Sequence, residues 1–74
     1  MKSAKNIIRY TLSYLNNNKA YVVAFKKNVI KAFELNLIQE DQFKYMNNYA
    51  NKLINKIELY ENLFSNIKKS YHLN

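Results

Sequence analysis

The basic side chains in the first half of the chain are the residues best able to do chemistry. Seven of the twelve Lys and Arg residues lie within residues 1–33, a segment that contains no Asp or Glu. Residues 34–74 carry five basic and five acidic residues, so the whole net charge of +7 belongs to the first half. Clustered cations of this kind bind phosphate oxygens and release the counterions that surround a nucleic acid.

Most of these cations form a stripe if the segment is helical. At 100° per residue, five of them fall near one side of the helix: Lys2, Lys5, Arg9, Lys27 and Lys31. Lys19 and Lys26 fall closer to the apolar side, where they must extend outward to reach water or mark a break in the helix. Because Arg is the favoured reader of base edges and one basic residue in twelve is Arg, the stripe predicts contacts with the phosphate backbone.

Other partners of the stripe remain open. It also fits an acidic protein surface, or a solvated face that only keeps the protein soluble. An anionic membrane surface is the least favoured partner, which Ile7, Ile8 and Leu12 among the basic residues allow. No transmembrane helix is predicted, because the longest apolar run, AYVVAF, is far shorter than the roughly 20 residues that span a bilayer.

Residues suited to catalysis are scarce. His72 is the single histidine, and near a helix C-terminus its charge is favourable without any catalytic role. A metal-ligand cluster has no Cys and no second His to build on. Glu58 and Glu61 are one helical turn apart among Lys and Asn residues, which predicts an exposed face. We therefore expect a protein that is not an enzyme, with no metal, no cofactor and no small-molecule substrate.

The second half of the chain carries a regular apolar pattern. It has neither Gly nor Pro to interrupt a helix. Apolar residues recur there at spacings of three and four, which is the seam of a long helix that packs along a partner. This pattern predicts a helix from about residue 39 to 72, roughly 50 Å long. The seam residues are Phe43, Met46, Ala50, Leu53, Ile57, Tyr60, Phe64, Ile67 and Tyr71.

A turn is predicted just before this helix. Asn36 is the best candidate for the left-handed residue that ends a helix, and Leu37 follows where an apolar residue folds back on the last turn. Ile38 and Phe43 flank a cap at Gln39 with the spacing of a hydrophobic staple. Acidic residues 40 and 41 suit a helix N-terminus. The alternative is that residues 36–38 simply continue the helix.

The first half shows a seam that repeats every seven residues. Its members are Ile8, Leu15, Val22 and Val29, with Leu12, Phe25 and Phe33 between them and Ser3 as a candidate N-cap. NNNK at residues 16–19 could form a loop, which would give a three-helix bundle. Two short helices would leave residues 57–71 without a partner, so the pattern favours an antiparallel hairpin of two long arms.

Several tyrosines lie outside both seams. A two-helix hairpin cannot enclose such a wide apolar surface, so we predict a homodimer in the form of a four-helix bundle. The alternative is that these amphipathic rings are simply half-exposed. The predicted protein-interface residues are Tyr10, Tyr14, Tyr21, Tyr45 and Tyr49, beside Ile7 and Leu63.

Together these patterns predict one all-α domain over residues 1–74. No targeting segment is evident, and we expect a cytoplasmic protein. The predicted function is non-enzymatic: a small regulator that contacts nucleic acid through its Lys-rich first arm. The alternative is a stoichiometric inhibitor, or an immunity or anti-defence protein, that uses its tyrosines. Asn, Lys, Ile, Tyr and Phe dominate the composition, and their AT-rich codons suggest a phage, plasmid or low-GC bacterium as the source.

Overall fold

The chain folds into a hairpin of two antiparallel helices. The computed structural model describes residues 3–70, in which α1 (Ala4–Glu34) and α2 (Glu40–Ser70) pack against each other along their lengths. Each helix has 31 residues, and the molecule measures 50 × 18 × 17 Å. The prediction of an all-α hairpin with two long arms is confirmed.

Helix α1 passes through the Asn-rich segment without a break. Asn16 and Asn17 are exposed and Asn18 is half-buried, all in helical conformation. The apolar repeat continues across the segment, from buried Leu15 to half-buried Val22. Packing against α2 therefore outweighs the cost of three Asn residues, which is about 2 kcal/mol relative to Ala. The three-helix alternative is excluded.

Both ends of α1 have the expected chemistry. Ser3 is the N-cap, and its Oγ accepts a hydrogen bond from the Asn6 N–H at 3.3 Å. At the other end Asn36 has φ 62°, in the left-handed region. The Leu37 N–H donates to the Ala32 carbonyl at 2.9 Å, and the Asn36 N–H donates to the Phe33 carbonyl at 3.0 Å. These two bonds form a Schellman motif, which satisfies carbonyls that the end of the helix leaves unpaired.

Helix α2 begins one residue after its predicted cap. The Gln39 N–H donates to the Gln42 side chain at 2.8 Å, which is one half of a capping box. The Phe43 N–H donates to the Gln39 carbonyl at 2.9 Å. Phe43 also stacks on Phe33 of α1, with ring centroids 4.5 Å apart, and so closes the turn end of the hairpin. Such a ring pair contributes about 0.5–1.5 kcal/mol beyond its buried area.

The core is a thin line between the helices. Ile8, Leu15 and Val29 of α1 and Ala50 of α2 are buried, and Ala50 is 0% exposed. Tyr60 departs from the predicted seam, since 43% of it remains exposed. The other described seam residues of α2 are half-buried: Phe43, Met46, Leu53, Ile57, Phe64 and Ile67. Tyr71 lies outside the described residues. Two helices alone thus bury little apolar surface completely.

Candidate interaction surfaces

The predicted basic stripe divides into two groups on α1. Lys5 and Arg9 form one group, and Lys27 and Lys31 form the other; all four side chains are exposed. Members of each group are one helical turn apart, whereas the centres of the two groups are about 33 Å apart at 1.5 Å per residue. Lys2 lies outside the described residues. The fold therefore presents two separated pairs of cations in place of one compact patch.

The remaining lysines of α1 are used to hold the hairpin together. Lys19 Nζ lies 3.0 Å from Glu58 Oε2 and 3.4 Å from Glu61 Oε1. Lys26 Nζ donates to Asn51 Oδ1 at 2.7 Å. These two lysines do not mark a break in the helix. Their side chains extend past the apolar side of α1 and contact α2. Glu58 and Glu61 are both partners of Lys19; Glu58 is exposed as expected, whereas Glu61 is half-buried.

The charge of Lys19 is reinforced by these contacts. Its hydrogen bond with Glu58 raises the pKa of Lys19 above the ordinary lysine value, partial burial opposes that rise, and Glu61 adds to it. The ammonium group therefore stays charged at neutral pH and beyond. A sequence signal existed for this site: two acids one turn apart in one arm and a lysine at the seam edge of the other.

These contacts define one flank of the hairpin. Lys19 and Lys26 follow buried Leu15 and half-buried Val22 by four positions. Lys26 meets Asn51, which directly follows buried Ala50, and Lys19 meets Glu58, which directly follows half-buried Ile57. Residues offset forward from the seam therefore lie on a common flank of both antiparallel helices. We call this flank the bridged face. Residues that directly precede the seam positions must lie on the opposite flank.

The opposite flank is apolar and open to solvent. Tyr14 precedes Leu15 and Tyr49 precedes Ala50, and the same offset applies to the whole set. Lys56, which precedes Ile57, is the charged residue of this series within the described chain. The set, which we call the tyrosine face, comprises Ile7, Tyr14, Tyr21, Tyr49 and Leu63, with exposed fractions between 52% and 76%.

Two further aromatic rings flank the tyrosine face, and two predicted residues lie beyond it. Phe25 and Tyr60 are 39% and 43% exposed and sit between this face and the seam. Tyr10 and Tyr45 are turned farther from the partner helix, at the outer edge of the face. Three of the five predicted interface tyrosines thus share one surface with Ile7 and Leu63.

The described residues form open surfaces that can bind a partner. Within residues 3–70, no three His, Cys, Asp or Glu side chains cluster in a way that could hold a metal ion. His72 falls outside that range. A depression beside the turn, lined by Ile38, Asp41, Gln42, Tyr45 and Met46, is open to solvent. Neither described helix has the length and hydrophobicity needed to cross a membrane.

No protein-family model matches this chain, and comparisons with curated proteins and with solved structures gave no significant similarity.

Proposed function

We propose that this protein is a non-enzymatic binding module that contacts the phosphate backbone of nucleic acid through α1. The observation that supports the proposal is that some lysines of α1 contact α2 and others are exposed to solvent. Lys19 and Lys26 are engaged with α2, whereas Lys5, Lys27 and Lys31 remain exposed along the helix. The acidic residue of α1 is Glu34, in its last turn, so the outer surface is positive along most of its length.

We propose further that two copies associate into a four-helix bundle. In the described chain, thirteen large apolar side chains are more than one-third exposed, although α1 and α2 are packed along their lengths. A second hairpin would cover part of this surface, as in other four-helix bundles. The dimer would also carry two α1 helices, which doubles the number of cations available to one nucleic acid.

Contacts of this kind have a measurable signature. The four cations of one hairpin, each neutralising one phosphate, give a slope of about −3.6 for log K against log salt on B-form DNA. Affinity should then fall by about 100-fold between 50 and 200 mM salt. We expect little dependence on base sequence, since lysines act as point charges on the backbone.

The test compares two double variants in a fluorescence anisotropy titration with a short labelled duplex. Lys27→Gln with Lys31→Gln should weaken binding and reduce the salt slope by about two. Lys52→Gln with Lys69→Gln removes the same charge from exposed positions of α2 and should leave most of the affinity. Equal losses from both double variants would overturn the assignment to α1, and absence of binding at 50 mM salt would overturn the function.

The tyrosine face supports a second candidate function, that of a stoichiometric inhibitor or immunity-type protein. Its target would be another protein, including one with an acidic surface. Tyr is enriched at protein interfaces and at their energetic centres. Affinity capture from host lysate, with and without nuclease, separates the candidates. The inhibitor retains one protein at 1:1 stoichiometry after nuclease treatment, whereas material retained through nucleic acid is lost.

A further inference from the structure

We infer that the tyrosine face is the surface that joins two copies of this chain, with the bridged face turned outward to solvent. The inference rests on the dimer proposed above and adds which flank is buried and which residue limits the association. A second copy is the occupant we commit to, on the basis of exposed area, repeat geometry and the position of the charged residues.

The exposed area matches what a dimer needs. Five side chains of the tyrosine face are more than half exposed, and Phe25 and Tyr60 add about two-fifths of theirs. With large side chains presenting about 150–250 Å² each, this amounts to roughly 800 Å² per copy when all seven are fully covered. Stable interfaces bury about 800 Å² on each partner. The bridged face offers no comparable apolar area among its contact residues, which are lysine, glutamate and asparagine.

The residues of this face repeat like a second seam. Ile7, Tyr14 and Tyr21 are seven residues apart on α1, and Tyr49 and Leu63 are separated by two such repeats on α2. A seven-residue repeat keeps side chains in line along a helix that packs against a neighbour for many turns. Both helices therefore present parallel rows to the same side, which is the arrangement by which one helix pair lies on another in a four-helix bundle.

Charge excludes the bridged face as the interface. Lys19 lies between Glu58 and Glu61 there, and all three side chains keep partial contact with water. Burial of these three charged side chains under a second copy would cost desolvation free energy, and the second copy would supply no new ion-pair partner. The tyrosine face carries one cation, Lys56, and so has the lower cost of dehydration.

Lys56 occupies the centre of the proposed interface. It is one residue from the midpoint of Glu40–Ser70, and the pairing of Lys19 with Glu58 and Lys26 with Asn51 sets it opposite Tyr21. A two-fold axis through the middle of the face brings the two copies of Lys56 near each other. Repulsion between them weakens the dimer.

Sedimentation equilibrium of the full chain tests this surface. Tyr21→Glu places a charge inside the interface and should raise the dimer dissociation constant at least about 30-fold, as expected for an interface hot spot. Ala20→Glu introduces the same charge at the adjacent exposed position, about 100° around the helix from Tyr21 on the side away from Tyr14, and should change the constant less than about threefold. Lys56→Met should tighten the dimer several-fold. Circular dichroism confirms that each variant is helical.

The outcomes are distinct. A wild-type chain that stays monomeric at millimolar concentration overturns both the dimer and this interface. A wild-type dimer that tolerates Tyr21→Glu, or that is broken equally by Ala20→Glu, overturns the interface alone. Nucleic-acid binding is read separately from the salt titration, so its failure is not confused with either result.

Discussion

At the scale of single residues, Asn36 allows the chain to reverse without glycine. Its φ of 62° lies in the region that costs most L-residues about 1–2 kcal/mol. Asn tolerates this conformation better than other residues with a side chain, which is why it is common at helix C-termini. The two backbone hydrogen bonds of the Schellman motif then join residues 36 and 37 to the last turn of α1.

Substitution of Asn36 should separate backbone strain from side-chain effects. We expect Asn36→Ala to lower the free energy of unfolding by about 1 kcal/mol, because Ala adopts positive φ at greater cost. Asn36→Gly should hold stability or raise it slightly, since Gly has no Cβ to clash. Urea denaturation at one fixed protein concentration measures both. Equal stability of the Ala and Gly variants would contradict the strain account.

At the scale of helices, packing along the interface decides what each element tolerates. The Asn-rich stretch of α1 stays helical because the apolar repeat on either side of it contacts α2. Asn47 of α2, in contrast, is a residue that packing at the interface leaves at a cost. Its side-chain oxygen is buried and has no hydrogen-bond partner in the described chain. A buried acceptor without a partner costs about 1–3 kcal/mol.

Removal of that unpaired group should stabilise the hairpin. We expect Asn47→Leu to raise the free energy of unfolding by about 1–3 kcal/mol, because the unsatisfied amide is replaced by an apolar group at the helix interface. Asn48→Leu, at the adjacent exposed position, is the matched control and should change stability by less than about 0.5 kcal/mol. Thermal or urea unfolding of the two variants gives the comparison; a destabilised Asn47→Leu would show that the amide has a structural partner.

At the scale of the whole molecule, the hairpin has two unlike faces. On the bridged face, two lysines of α1 form ion pairs and a hydrogen bond with Glu58, Glu61 and Asn51 of α2. The other exposes tyrosines and Leu63. The two exposed cation groups of α1 are far apart along its length, so a ligand that contacts both must be extended. A nucleic acid meets that requirement.

The cross-helix ion pair should make stability depend on pH in the alkaline range. Contacts with Glu58 and Glu61 raise the pKa of Lys19 in the folded state above its unfolded value. A raised lysine pKa contributes stability in full below the unfolded value, near pH 10.4, and loses it as pH rises through the folded pKa. Stability should therefore be insensitive to this group at pH 7–9 and fall above that range.

The measurement must isolate Lys19 from the rest of the chain, so it compares two proteins that differ at that residue. The free energy of unfolding of the wild type minus that of Lys19→Met isolates the lysine. We expect this difference to be constant at pH 7–9 and to decrease as pH rises further, whatever its sign at neutral pH. A difference that stays constant through the lysine range would refute the ion pair as the source.

Much of this architecture could be predicted from the residues alone. The unbroken α2, the cap at Ser3, the left-handed Asn36 and the two seams follow from local backbone chemistry and helical spacing. The continuity of α1 does not follow from local propensity, because Asn residues 16–18 suit a loop and a helix almost equally. The roles of Lys19 and Lys26 were missed, since their bonding partners lie 25–42 residues away.

The sequence by itself determined α2, the two ends of α1 and the turn, because these depend on contacts within four or five residues along the chain. The continuity of α1 across residues 16–18 also required packing against α2. Tertiary structure alone decided which side chains share a face. The register between α1 and α2 sets Lys19 against Glu58 and Glu61, and it removes that lysine from the surface open to a ligand. The same register aligns Tyr14 and Tyr21 with Tyr49 and Leu63 on one flank, because two antiparallel helices locked together on one side must expose the other.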